Sequence, residues 1–246
     1  MSKNKYFPLW SLYFSEDGYS ISGNRIMGRQ AAGNAYLRAI LQSDIDNFSV
    51  YLKSQDQSDI AVKQIQNLLP NNKQLELERI SYDKPYKSKR YGGIFYPGPV
   101  LSQYAQHRKF FKHDSYSLVG ITHTTASHQV MKSFANILTD ELKPWDAIIC
   151  TSPVVLETVN LIIDKTYDMY VDKLGAQKKE LPQLPVIPLG VHSEDFVFTN
   201  EFKNDCRKEL NIKDNDIVIA YIGRLSFHAK AHHLPMYLAL EECSKN

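Results

Sequence analysis

Arg224 and Lys230 stand six positions apart, just past Gly223 and an apolar run over residues 217–222. A guanidinium presents a planar fork of donors and an ammonium a compact point charge, and both suit phosphate oxygens. Gly223 lets the backbone turn or approach a ligand closely. The same residues also fit a buried strand followed by a solvated basic loop. A second candidate is His123, which follows the apolar stretch 116–122. A histidine at the carboxyl end of an inner strand reaches a ligand cleft, although a lone histidine is more often a structural group. Gly28 and Arg29 open a helical pattern after a first apolar stretch, where helix amides can face an anion. Their surroundings depart from the GxGxxG spacing, so a flexible connection explains the glycines as well. Finally, Tyr91, Gly92, Gly93 and Tyr96 sit among Lys84, Lys87, Lys89 and Arg90 in segment 82–99. Such a segment stacks on a sugar, holds a nucleic-acid strand, or is an ordinary mobile loop. His228, His232 and His233 lack a carboxylate to complete an HExxH-like set, so no metal is expected.

The elements that must position these groups follow from pattern. Apolar or alternating stretches predict strands over 9–14, 48–53, 75–80, 116–122, 146–151, 186–191 and 216–222. The last, continuous and β-branched, reads as a strand buried on both faces. Helices are predicted over 29–41, 60–69, 100–113, 127–139 and 199–210, and from about His233 onward. In the first, Ala32, Ala35, Tyr36, Ala39 and Ile40 form the apolar face. Ser152 and Pro153 predict a capped helix start, and Gly175 a stop, so that helix spans 153–174. Glycine and proline predict irregular backbone across 82–99. Strands alternating with helices give an α/β fold with a mostly parallel Rossmann-type sheet and helices on both faces.

With 246 residues, 43% hydrophobic and 23% charged, the composition is that of an ordinary globular protein. A net charge of +2 gives no global field for nucleic acid. Cys150, Cys206 and Cys243 form no CxxC pair, which points away from a disulfide framework or zinc ribbon and toward a reducing cytoplasm. The amino terminus is too short and interrupted for a secretory signal, and no run approaches the roughly 18 apolar residues of a membrane span. Peripheral contact with the inner membrane face stays open. The helix–strand rhythm restarts after 190, predicting domains over 1–190 and 191–246. About 58 residues follow Pro188, against on the order of 100 to 150 for a nucleotide-binding α/β half. The second Rossmann-like domain is therefore expected to be truncated.

Several segments fit one family together. Gly28-Arg-Gln-Ala-Ala-Gly33 resembles the glycine loop after a first strand, and Ile121-Thr-His-Thr124 a strand-end histidine segment. Trp145 to Ser152, Val186-Ile-Pro-Leu-Gly-Val-His192 and Gly223-Arg-Leu225 with Lys230 are similar to a strand-to-serine segment, an interdomain link and a donor-phosphate segment. In this order they resemble the retaining GT-B glycosyltransferases of the family-4 type. The link departs from the usual Pro-Asn-Gly-Val-Asp at Leu189 and His192, and the family's distal Glu-x7-Glu element does not occur.

The resemblance implies two Rossmann-like domains and transfer of a sugar, with retention, from a nucleotide-sugar to a glycan, lipid or small-molecule acceptor. It implies Arg224 and Lys230 as catalytic cations on the leaving diphosphate, with Gly28, Arg29 and Gly223 completing the phosphate site. It implies His123 as a group that holds sugar or acceptor. Tyr91, Gly92, Gly93 and Tyr96 are the expected acceptor contacts, with no cofactor and no nucleic-acid partner. The 246 residues alone are expected to be inactive, with activity residing in a longer protein. A sugar-nucleotide epimerase of similar plan and a non-catalytic binding module are the competing classes.

Overall fold

The computed structural model describes residues 10–22, 26–223 and 232–245. The chain divides into two compact units, Met1–His192 and Ser193–Asn246. Arg224, Leu225, His228 and Lys230 lie outside the described residues.

The first unit begins with β1 (Ser11–Phe14), a single helical turn α1 (Glu16–Tyr19), α2 (Gly28–Gln42), β2 (Asn47–Leu52), α3 (Asp56–Leu68) and β3 (Glu76–Ser81). A 3₁₀ helix (Pro85–Tyr91) leads to β4 (Gly93–Phe95), followed by α4 (Ser102–Lys109), β5 (Ser117–Ile121), α5 (His128–Asn136), β6 (Ala147–Ile149) and α6 (Pro153–Leu174). The six strands form one open, all-parallel sheet in the order β3-β2-β1-β4-β5-β6. Two strands, β2 and β3, run outward from β1, and the chain then returns to lay β4 on the other side of β1. Leu12 pairs with Val50 on one flank and Phe95 on the other. That reversal between β1 and β4 is where an open α/β sheet forms a crevice at its carboxyl edge.

Strand alternation supplies a core on each face. Leu12, Phe14, Phe48, Val50 and Leu52 pack with Leu37, Leu41, Ala61 and Ile65 from α2 and α3. Tyr13, Tyr51, Ile94 and Leu118 face the other way, against Ala105, Phe134, Val159 and Ile163 from α4, α5 and α6. A sheet covered by helices on both faces has strands buried on both, and β2 is buried at every position. The fold of this unit is thus α/β and Rossmann-like.

Buried charge fixes α4 to the sheet. Arg108 and Asp146 are both fully buried and make a bidentate pair at 2.6 and 2.7 Å. Arg108 also donates to the Tyr116 carbonyl at 2.9 Å, and Asp146 accepts from the Leu118 and Lys143 amides at 2.8 Å. Close approach fixes α2 to α1: a Cβ on Gly33 would stand 2.0 Å from the Gly18 carbonyl oxygen. The buried stripe of α2 is Gly33, Leu37 and Leu41, not the Ala32–Ile40 face expected from spacing. Tyr36 and Ile40 of the expected face still pack against the same core at its margin, with Leu37 and Leu41 one position further on taking the centre.

The capped helix start at Ser152 forms as expected: its Oγ accepts from the Val155 amide at 3.2 Å, and Gly175 ends α6 in the left-handed region at φ 65°. Segment 82–99 departs from expectation. It is not an irregular loop, because Pro85 opens the 3₁₀ helix and Gly92 turns at φ 73° into β4. Residues 186–191 make no strand; Val186 contributes only an isolated bridge to Cys150. Pro188 offers no amide to a ladder there.

The second unit holds a 3₁₀ turn (Ser193–Phe196), α7 (Asn200–Glu209) and α8 (Leu234–Lys245). Thr199 caps α7, accepting from the Phe202 amide at 3.2 Å. The strand expected over 216–222 does not form: no ladder pairs it among the described residues, and Ile217 and Ile222 are 91% and 95% exposed. An extended apolar segment without a neighbouring strand keeps its amides and side chains in water. Among the described residues, no helix is long and apolar enough to cross a membrane.

Candidate functional site

A cavity of about 480 Å³ lies beyond the carboxyl ends of β1, β4 and β5 in the first unit. Tyr13, Asp17, Arg29, Tyr96, Tyr104 and His123 are among the side chains that line it. Each arrives by a separate element. Tyr13 comes from β1 and Asp17 from α1 directly after it, Arg29 from the first turn of α2, Tyr96 from just past β4, Tyr104 from the first turn of α4, and His123 from just past β5. Only the parallel order with β1 against β4 brings these ends together.

Arg29 is the only lysine or arginine, and Asp17 the only carboxylate, among the described residues lining the cavity. They form an ion pair in which Arg29 Nη2 donates to Asp17 Oδ2 and, at 3.3 Å, to the Asp17 carbonyl. Arg29 Nε is buried with no hydrogen-bond partner among the described residues.

Burial lowers the His123 imidazole from its ordinary 6.5 to about 4. The Arg29 guanidinium adds to that depression, and a hydrogen bond to the Pro97 backbone opposes it. The ring is therefore neutral at physiological pH. Its Nε2 is buried and has no partner among the described residues. A neutral imidazole whose other nitrogen donates to a carbonyl offers a lone pair at Nε2, suited to accept a hydroxyl proton.

The remaining wall is aromatic. Ring centroids lie 4.8 Å apart for Tyr13 and Tyr96, 3.9 Å for Tyr96 and Tyr104, and 5.2 Å for Tyr13 and Tyr104. Burial raises the Tyr96 and Tyr104 phenols above their ordinary range, so these groups stay neutral donors. The arrangement combines one fork of cationic donors, one uncharged acceptor and a tyrosine wall. It can hold a polyhydroxylated ligand that carries an anionic group.

Of the residues expected from sequence, Arg29, His123 and Tyr96 come together here. Gly28 is the adjoining first residue of α2, and a Cβ there would meet nothing within 4 Å. Tyr91, Gly92 and Gly93 do not join the cavity. Tyr91 is 2% exposed, with its hydroxyl on Glu78 Oε2. Gly92 and Gly93 lie at the amino end of β4, and Gly92 lines a separate hollow with Lys89, Tyr116 and Trp145. The physical reason is the 3₁₀ helix, which carries the chain from the end of β3 back to the start of β4, so these residues fall at the sheet edge opposite His123. Gly223 belongs to the second unit. Arg224 and Lys230 fall outside the described residues. Of the neighbouring histidines, His232 Nδ1 accepts from the Leu234 amide at 3.2 Å. No cluster of three or more His, Cys, Asp or Glu with metal-site geometry occurs among the described residues.

Asp17, Tyr13 and Tyr104 were not anticipated from the sequence. Asp17 had a readable signal, since it sits in the first turn after an inner strand, the same placement that singles out His123. Tyr104 had none, because its approach depends on how α4 packs. No protein-family model, curated protein or solved structure matches the chain.

Proposed function

We propose that this chain forms the acceptor-side half, and the start of the donor-binding half, of a retaining GT-B glycosyltransferase. It moves a sugar from a nucleotide-sugar donor to a glycan, lipid or small-molecule acceptor, in the cytoplasm and in peripheral contact with a membrane where the acceptor is a lipid. The observation that carries this reading is the meeting of Arg29 and His123 in one cavity at the β1/β4 crevice. Both were singled out by motifs far apart in sequence.

In this reading Arg29 steadies the diphosphate, whose charge grows as the glycosidic bond breaks. Electrostatic stabilisation of such charge by a single good donor is worth about 3 to 4 kcal/mol. His123 Nε2 accepts a hydroxyl and orients the sugar, and the tyrosines pack against its apolar face. Arg224 and Lys230 keep the cationic role that the resemblance implies.

The test uses protein carrying these residues together with any continuation of the chain. Sugar nucleotides and candidate acceptors are supplied, and products are read by mass spectrometry. Nucleoside diphosphate released in step with glycosylated acceptor is expected, falling about 100-fold in kcat/KM for Arg29→Ala. Unchanged turnover by that variant, or an epimerised sugar nucleotide with no transfer, overturns the reading.

A further inference from the structure

Arg29 already holds a partner. Its Nη2 meets both the carboxylate and the carbonyl oxygen of Asp17, while Nε stays buried without a partner among the described residues. The two residues reach the same cavity from the first turns of adjacent helices, α1 and α2. The Asp17 side chain is 72% exposed, against 36% for Arg29. Ion pairs this open add little to stability, so the contact is not required to hold α1 against α2. That packing has its own cause in Gly33, whose Cα lies against the Gly18 carbonyl. The pair therefore opens without disturbing the fold.

We infer that Asp17 is a built-in counter-ion whose carboxylate occupies the anion subsite of Arg29 and is displaced when a diphosphate group enters the cavity. The naming of the anion as a diphosphate rests on the proposed transferase reading; the displacement rests on the geometry alone. An incoming phosphate oxygen competes with Asp17 Oδ2 for Nη2. Like charges cannot share one guanidinium edge without repulsion, so binding is an exchange and Asp17 sets its equilibrium.

Inorganic pyrophosphate titrated calorimetrically into the 246-residue chain tests the exchange. Asp17→Asn is expected to bind it about tenfold more tightly than the wild type. Arg29→Gln is expected to abolish binding in both backgrounds, and Arg29→Lys to retain a weaker affinity, since charge remains without the fork. Thermal melts of the variants should coincide with that of the wild type. Equal or weaker binding by Asp17→Asn, binding that survives Arg29→Gln, or no binding by any of these proteins overturns the inference. Sugar-nucleotide turnover is read separately. Transfer that persists while Asp17→Asn binds no better refutes the counter-ion and keeps the transferase. Tightened binding with no sugar nucleotide turned over keeps the counter-ion and refutes the transferase.

Discussion

Strand β2 and residues 217–222 make an instructive pair. Asn-Phe-Ser-Val-Tyr-Leu carries two polar residues and a phenol, whereas Ile-Val-Ile-Ala-Tyr-Ile is apolar but for one phenol. By pattern the second is the better strand. Yet β2 is buried throughout and laddered on both sides, and the second segment has no ladder among the described residues and two isoleucines more than 90% exposed. An apolar run gives a capacity for burial; the neighbours decide whether it is used. In the first unit, β1 and β3 flank β2 and two helical layers cover it. No strand forms among the described residues of 193–246 to offer an edge.

The largest expected effect comes from the charge that this layered core encloses. Arg108→Ala leaves Asp146 buried without its partner and should cost about 3 to 5 kcal/mol in urea unfolding. Lys208→Ala, which breaks an exposed pair with Asp205 in the second unit, should change stability by less than about 0.5 kcal/mol. Equal effects would erase the contrast. Next, Leu12→Ala on fully buried β1 should cost about 2 to 5 kcal/mol, and Ile217→Ala less than about 0.5 kcal/mol. A core-sized loss from Ile217→Ala would mean that 217–222 is buried in solution.

The last contrast is a pH slope. The folded state holds His123 at about 4 against an ordinary 6.5, so the unfolded chain takes up a proton first as pH falls. Stability from the neutral ring is complete above 6.5 and is lost progressively as pH drops toward 4. His123→Gln should flatten the melting temperature in that window, and the ring protons should titrate by NMR with a midpoint near 4. A midpoint near 6.5 would place the ring in water.

The alternation of strands and helices in the first unit was legible from the apolar runs of its longer strands and, for α6, from its capping residues. Ser152, Pro153 and Gly175 bound α6 at the residues their chemistry favours. Strand β4 was not legible. It has three residues, begins at a glycine, and follows a proline-opened 3₁₀ helix, so it shows no periodicity to detect. For the same reason the placement of Tyr91, Gly92 and Gly93 at the amino end of β4 could not be read from the sequence. For the cavity, single residues at a helix start and a strand end were readable, as Arg29 and His123 show. Their pairing with Asp17 and the tyrosine wall depends on packing between elements.

The central seat of β1 bears on how the chain is made. On a ribosome, β2 and β3 emerge soon after β1 and can dock on one flank, but the other flank stays bare until residues 93–95 arrive. For that interval the nascent chain presents unpaired amides and carbonyls along an apolar ribbon, a template for cross-chain pairing. Slow elongation through segment 82–92 would therefore lengthen the window for aggregation, and a holdase chaperone would act there.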